Sequence, residues 1–290
     1  MNKNILITGG AGFIGSHLAE VLLKEGENVT IIDNFSTGNL ENIKKIRQQV
    51  ELINSDIRDL NKIKSKKLKV DVIIHLAALI SVEDSRKKPG EYYLNNVIGT
   101  YNVIKAGIEM GCKTIIFASS AAVYTPDNPY GLSKKIGEDL MFEYRHKIQA
   151  ISLRFFNIYG VGQNPEYAGV IDKYFQATKD KKILKITGDG KQTRDFIAVS
   201  DITQIIKIII EKGNKIKSGS VFEVGTGRSI TINKLANIFA KKHKLSIKHL
   251  HNQSIGIFNS RAKNKSLLKI IGDYKFKSLK NGLKELEENF

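Results

Sequence analysis

A chain with one cysteine cannot carry an internal disulfide framework, and Cys112 is the single cysteine of these 290 residues. It stands just before Lys113-Thr-Ile-Ile-Phe-Ala118, which predicts a packed core thiol rather than a nucleophile. Prolines number only four, too few for a proline-rich spacer, and no repeat, low-complexity tract or flexible linker interrupts the chain. Long apolar runs are also missing: the stretches at 72–80 and 205–210 are too short to span a bilayer. The first residues already read as a strand and leave no room for a signal peptide, so a soluble, cytoplasmic protein is expected. Acidic residues are in deficit, 29 against 46 Lys and Arg, for a net charge of +17. That charge would suit nucleic acid or an anionic membrane. The lysines are spread along the whole chain, however, without an aromatic-interleaved basic stripe. A lysine-rich solvated surface is therefore expected, favourable to capture of a small anion, with neither nucleic acid nor membrane as partner and no metal site.

What is present is a rhythm. Apolar residues make up 41% of the chain, enough for a large core. Short apolar runs at 4–8, 29–33, 50–54, 71–76, 114–119 and 150–155 predict strands. Helical patterns fall between them near 13–25, 39–48, 59–66, 90–110 and 130–147. Such alternation predicts an α/β fold, a doubly wound parallel sheet with right-handed crossovers. Beyond residue 157 the rhythm changes. A strand near 183–186 is followed by Phe196–Val199, a helix near 201–212 and a strand at 220–224, which read as a return to the main sheet. The expected division is a first domain of residues 1–157, with 195–225 returning to it. A smaller C-terminal α/β lobe then comprises 158–194 and 226–290, packed tightly against the first with the site between them.

The run Thr8-Gly-Gly-Ala-Gly-Phe-Ile-Gly15 follows the first strand at once. Gly9, Gly12 and Gly15 lack the Cβ atoms that would keep a pyrophosphate away, and the helix opening at Phe13-Ile14 would offer free N–H groups to its phosphates. Asp33 ends the second strand, eighteen residues beyond Gly15, where a carboxylate accepts hydrogen bonds from an adenosine ribose and repels a 2′-phosphate. Asn34 follows instead of Arg or Lys, so NAD is expected rather than NADP. Asp56-Ile57 sits at the end of the third strand, in reach of an adenine amino group, and Leu76-Ala77-Ala78 would let the backbone lie against a flat cofactor. His75 is read as a structural histidine. Further on, Ser120, Tyr130 and Lys134 form the chemically suggestive set. Tyr130 and Lys134 share a helix face at i and i+4. An ammonium beside a phenol favours the phenolate, so a group that titrates near ~10 can act as a base closer to neutral pH.

Taken in order, these stretches resemble the extended short-chain dehydrogenases/reductases of the nucleotide-sugar epimerase/dehydratase family. The resemblance is carried by Thr8–Gly15, Asp33–Gly38, Asp56–Arg58, His75–Ala78, Tyr93–Thr100, Ser119–Tyr124, Tyr130–Lys134, Leu153–Gly160 and Gly188–Phe196. It implies a Rossmann-type sheet with a nucleotide-sugar-binding C-terminal lobe, NAD as cofactor, a UDP-sugar as substrate, and a homodimer built on the helices near 90–110 and 130–147. Within the family the chain is most similar to the UDP-glucose or UDP-N-acetylglucosamine 4-epimerase branch. The dehydratase branch places an Asp-Glu pair directly after the catalytic Ser/Thr, where this chain has Ala121-Ala122. The resemblance further implies Tyr130 as base, Lys134 as its partner and a ribose contact, and Ser120 on the sugar 4-oxygen. Asn95 and Phe156 would border the nicotinamide, and Asn157 and Arg194 would clamp the diphosphate.

Two stretches depart from the family pattern. Nine residues separate Ser120 from Tyr130, a shorter loop than usual, and Thr125 replaces a glycine after Val123-Tyr124. Pro126 and Pro129 would make the connection tight. Near the C-terminus, Gln253–Ser266 lacks the usual first arginine, leaving Arg261 as a substitute phosphate ligand. The expected activity is NAD-dependent 4-epimerisation of a UDP-sugar through a 4-keto intermediate. The competing readings are a nucleotide-sugar 4-reductase or dehydrogenase, and a silent dinucleotide- or RNA-binding module.

Overall fold

The computed structural model describes residues 2–59, 68–125, 127–164, 169–181, 183–250 and 258–288. Seven strands form one sheet: β1 (Asn4–Thr8), β2 (Asn28–Asp33), β3 (Glu51–Asn54), β4 (Val72–His75), β5 (Thr114–Ser120), β6 (Gln149–Phe155) and β11 (Ser220–Val224). Their order is β3-β2-β1-β4-β5-β6-β11 and every ladder is parallel. The strands read as continuous apolar runs because helices cover both faces. Alternate side chains divide between the two cores, as a period of two demands. Ile5, Ile7, Ile31 and Ile74 face the helices Phe13–Lys24 and Val199–Lys212, while Leu6, Ile32, Ile73 and Phe117 face Gly99–Glu109.

A third core gathers Tyr159, Tyr174, Phe175, Leu184, Ile186, Leu235, Phe239 and Leu286. Around it lie three two-stranded sheets: β7 (Asn157–Tyr159) with β10 (Phe196–Ala198), β9 (Thr193–Arg194) with β12 (Ile230–Thr231), and β8 (Leu184–Thr187) with β13 (Ile247–Leu250). The anticipated return to the main sheet holds for β11 and not for Phe196–Ala198. The latter pairs with β7 because β6 already has β5 and β11 as its two neighbours. Leu267 and Ile271 of the helix Lys265–Ile271 pack into the first core, so the chain beyond 226 contributes to both regions.

Local differences have local causes. The segment expected as a helix at 39–48 is a 3-10 helix, Leu40–Ile46, capped by Asn39 accepting from the Glu41 N–H at 3.0 Å. The helix expected at 90–110 is preceded by Val82–Lys87 and holds a π-helical stretch, Tyr93–Ile98, between Pro89–Tyr92 and Gly99–Glu109. The helix expected near 59–66 falls largely outside the described residues.

Candidate active site

The C-terminal ends of β1, β2 and β4 converge on a cavity of about 160 Å³. Gly9 is in the left-handed region (φ 72°), and a Cβ there would come within 2.7 Å of the Ala77 nitrogen. A Cβ on Gly15 would approach the Gly9 carbonyl oxygen to 2.3 Å, so the turn cannot close around a larger residue. Gly12 caps the helix Phe13–Lys24 without a side-chain bond, so no side chain competes for its first N–H groups. Gly9, Gly12, Phe13, Ile14 and Gly15 line the cavity, and so do Asp33, Asn34, Ile57, Leu76, Ala77, Ala78 and Asn95. Ser36, Thr37, Ser55 and Ile80 line it as well and were missed in the sequence, because hydroxyl and aliphatic residues in loops carry no motif.

Asp33 is buried, its carboxylate oxygens accepting from the Ala11 N–H at 2.9 Å and the Phe35 N–H at 2.8 Å. Burial pushes its pKa up, and these two bonds pull it back. Asp56 does not line the cavity. Its carboxylate is taken by the Arg58 fork at 2.9 and 2.7 Å and by the Asn34 amide at 2.8 Å, which hold it well below the usual carboxylate range. The Ser55 hydroxyl is buried and has no partner among the described residues. A glycine cradle, a helix N-terminus free of side-chain caps, a carboxylate at the β2 tip and an orphaned hydroxyl together fit an adenine dinucleotide.

The short loop after Ser120 is solved by two caps. The Ser120 Oγ accepts from the Ala122 N–H at 3.2 Å, opening the 3-10 turn Ala121–Tyr124. Asn128 then caps the helix Pro129–Glu143, accepting from the Gly131 N–H at 2.8 Å, with Pro129 in the first helical position. Pro126 lies outside the described residues. The result sets the Ser120 hydroxyl beside the Tyr130 hydroxyl, near enough to pull its pKa down.

Lys134 is buried one turn along, its Nζ donating to the Ala118 carbonyl at 2.8 Å and lying 5.0 Å from the Phe117 ring centroid. Burial brings the ammonium down to about 7. Burial raises the Tyr130 phenol, and the neighbouring Ser120 hydroxyl pulls it back. His75 is a structural residue: Nδ1 bonds the Thr8 hydroxyl at 2.7 Å, Nε2 the Thr100 hydroxyl at 3.0 Å, and burial brings it down to about 3.

Asn95 donates to the Asn96 Oδ1 at 3.0 Å. Asn96, also missed, is the more buried of the pair. It accepts from the Leu79 N–H and donates to the Leu79 carbonyl and the Ser133 hydroxyl, each at 2.9 Å, clipping the loop after β4 to two helices. Adjacent asparagines look alike in sequence; their positions in the π-helical stretch separate them.

A second cavity of about 970 Å³ opens between β7, β8, β9 and the helix Val170–Lys179, with Asn157 and Arg194 in its lining. The Asn157 amide donates to the Asp195 carbonyl at 3.0 Å, and Arg194 donates to the Thr193 carbonyl at 2.8 Å. Burial lowers the pKa of Arg194. Five buried side-chain atoms in that lining, Tyr159 Oη, Gln163 Oε1, Asp172 Oδ2, Tyr174 Oη and Gln192 Oε1, have no partner among the described residues.

Asp195, fully buried, pins this wall. It accepts from the Thr226 N–H at 3.0 Å, the Thr226 hydroxyl at 2.6 Å, the Gly227 N–H at 2.9 Å and the Ala262 N–H at 3.0 Å. Its position beside Arg194 was the available signal. Phe156 is buried and lines neither cavity. Arg261 is exposed, donates to the Gly227 carbonyl at 2.7 Å, and also lines neither.

The profile of the NAD dependent epimerase/dehydratase family matches residues 5–225. The putative UDP-glucose 4-epimerase of Methanocaldococcus jannaschii is 36% identical over 263 residues, covering 84% of this chain and 83% of that protein. The UDP-N-acetyl-alpha-D-glucosaminuronate decarboxylase of Bacillus cytotoxicus is 34% identical over 273 residues, covering 87% and 84%. A solved UDP-N-acetylglucosamine 4-epimerase from Methanobrevibacter ruminantium, in complex with UDP-N-acetylmuramic acid, is similar with a TM-score of 0.90 at 31% identity, covering 99% of this chain and 97% of that one.

Proposed function

The chain belongs to the NAD-dependent epimerase/dehydratase family, and from that premise we propose that it interconverts UDP-sugars epimeric at C4, such as UDP-glucose and UDP-galactose or their N-acetylated forms. The observation that supports this reading best is the meeting of Ser120, Tyr130 and Lys134 in spite of the short loop, beside Ala121 and Ala122, which offer no carboxylate for water elimination.

NAD is the cofactor of the family, and when bound it supplies the acceptor and later the donor of a hydride. Gly9, Gly12, Phe13, Ile14 and Gly15 would hold its pyrophosphate by backbone N–H groups. Asp33 would take a ribose, with Asn34 beside it, and Ile57, Leu76, Ala77, Ala78 and Asn95 would complete the walls. Tyr130 removes the proton from the sugar 4-hydroxyl, and Ser120 hydrogen-bonds the same oxygen, stabilising the negative charge that develops on it. Lys134 donates to the ribose and holds the strand tip. Asn157 and Arg194 anchor the diphosphate, a cationic fork on an anion. The 4-keto sugar then turns about that anchor and Tyr130 returns the proton. Phe156 and Arg261 line neither of the two cavities and are given no step in this mechanism.

The test is incubation with UDP-hexoses, UDP-N-acetylhexosamines and a UDP-uronate, following products by NMR without added reductant. The 4-epimer is expected. Tyr130→Phe is expected to lose roughly a hundred- to ten-thousand-fold in turnover while retaining NAD. Undiminished turnover in that variant, loss of carbon dioxide, or net formation of reduced cofactor would each overturn the proposal.

A further inference from the structure

Glu138 lines neither cavity, yet it continues the helical stripe of Tyr130 and Lys134 by one more turn. The three side chains face three consecutive residues of β5. The Tyr130 hydroxyl stands beside the Ser120 hydroxyl, the Ser119 hydroxyl donates to Glu138 Oε1 at 2.5 Å, and Lys134 donates to the Ala118 carbonyl at 2.8 Å. Gly137 lets the helix lie this close, since a Cβ there would come within 2.5 Å of the Phe117 ring.

Glu138 is itself held from the next strand. In the β5–β6 register Ser119 pairs with Arg154, and the Arg154 fork grips Glu138 through Nε to Oε1 at 2.8 Å and Nη2 to Oε2 at 2.7 Å. The guanidinium cannot swivel, because its Nη1 donates to the Tyr124 hydroxyl at 2.8 Å, which in turn donates to Glu223 on β11 at 2.5 Å. A bidentate, charge-assisted pair in a buried setting is geometrically stiff.

We propose that Glu138 is a positioning residue that sets the Ser120–Tyr130 separation by tying the helix of Tyr130 to Ser119 and, through Arg154, to β6. This role rests on the assignment of Ser120 and Tyr130 as the reacting groups. Without Glu138 the middle rung is lost and the tip of β5 is free to slip against the helix. A displacement of about 1 Å at a reacting group costs on the order of a hundredfold in rate. Neither cavity contains Glu138, so cofactor retention and KM are untouched by its loss.

The experiment compares the NAD-loaded parent with Glu138→Ala in turnover of the UDP-sugar and in the crystal. Expected are a kcat lower by roughly ten- to a hundredfold, an unchanged KM and NAD content, and a Ser120–Tyr130 hydroxyl distance longer than the parent's. A folded Glu138→Ala protein with parental kcat, or with the parental Ser120–Tyr130 separation, overturns the role. If that variant does not fold, Ser119→Ala breaks the same rung and leaves the Glu138–Arg154 pair in place. Its expected loss in kcat is roughly three- to tenfold, and an unshifted β5 tip with full activity overturns the role equally. A parent that turns over no nucleotide sugar counts against the 4-epimerase and leaves the crystallographic arm decisive for Glu138.

Discussion

At the scale of single residues, the protein uses burial to set charge states. His75 is satisfied on both ring nitrogens and held neutral to about pH 3. In the unfolded chain it titrates near ~6.5. Between those values the unfolded state binds one more proton than the folded one, so stability is lost as pH falls from 6.5 toward 3, at about 1.4 kcal/mol per pH unit. Urea midpoints measured from pH 7 to 3.5 should show this slope, and His75→Gln should flatten it; parallel slopes would assign the acid sensitivity elsewhere. The histidine's structural character was legible from its place inside an apolar strand. The state of Tyr130 was not, because spacing says that Lys134 is near but not that its Nζ is committed to the Ala118 carbonyl. Asp56 failed as a cavity residue for a similar reason: Arg58, two residues on, captures the carboxylate first.

At the scale of elements, the strands were legible to within about a residue at most ends. Parallel strands covered on both faces must be short, apolar and β-branched, and Ile5 to Ile7 or Val72 to Ile74 admit no other role. The helices were legible by period, but period does not distinguish an α-helix from a π-helical insertion such as Tyr93–Ile98. Nor does it show where a loop nine residues long finds its turn. That turn depends on Asn128, whose side chain caps the helix of Tyr130 at the Gly131 N–H. Asn128→Ala should cost about 1 kcal/mol in global stability, read as a lower denaturant midpoint at constant m-value. No change in the midpoint would mean that Pro129 alone starts this helix.

At the scale of the whole molecule, the smaller cavity opens at the C-terminal ends of the sheet strands, which is where open parallel sheets bind ligands, and the larger one lies among the short strands β7, β8 and β9. Among the described residues no helix is long and apolar enough to cross a membrane. Instead, apolar side chains stand exposed on two neighbouring helical segments: Leu94, Ile98 and Tyr101 on one, Leu132 and Phe142 on the other. We propose that a second copy of the chain covers them. Sedimentation should give twice the monomer mass, and Leu94→Glu with Ile98→Glu should give the monomer; a monomeric parent would refute the dimer. The sole thiol of the chain is shut between the sheet and its helical cover, with burial pushing it up to about 12. A thiol-specific reagent in the solvent therefore meets no thiol to modify until the polypeptide opens around that sulfur. Each molecule thus carries an internal marker that records its own excursions from the native state.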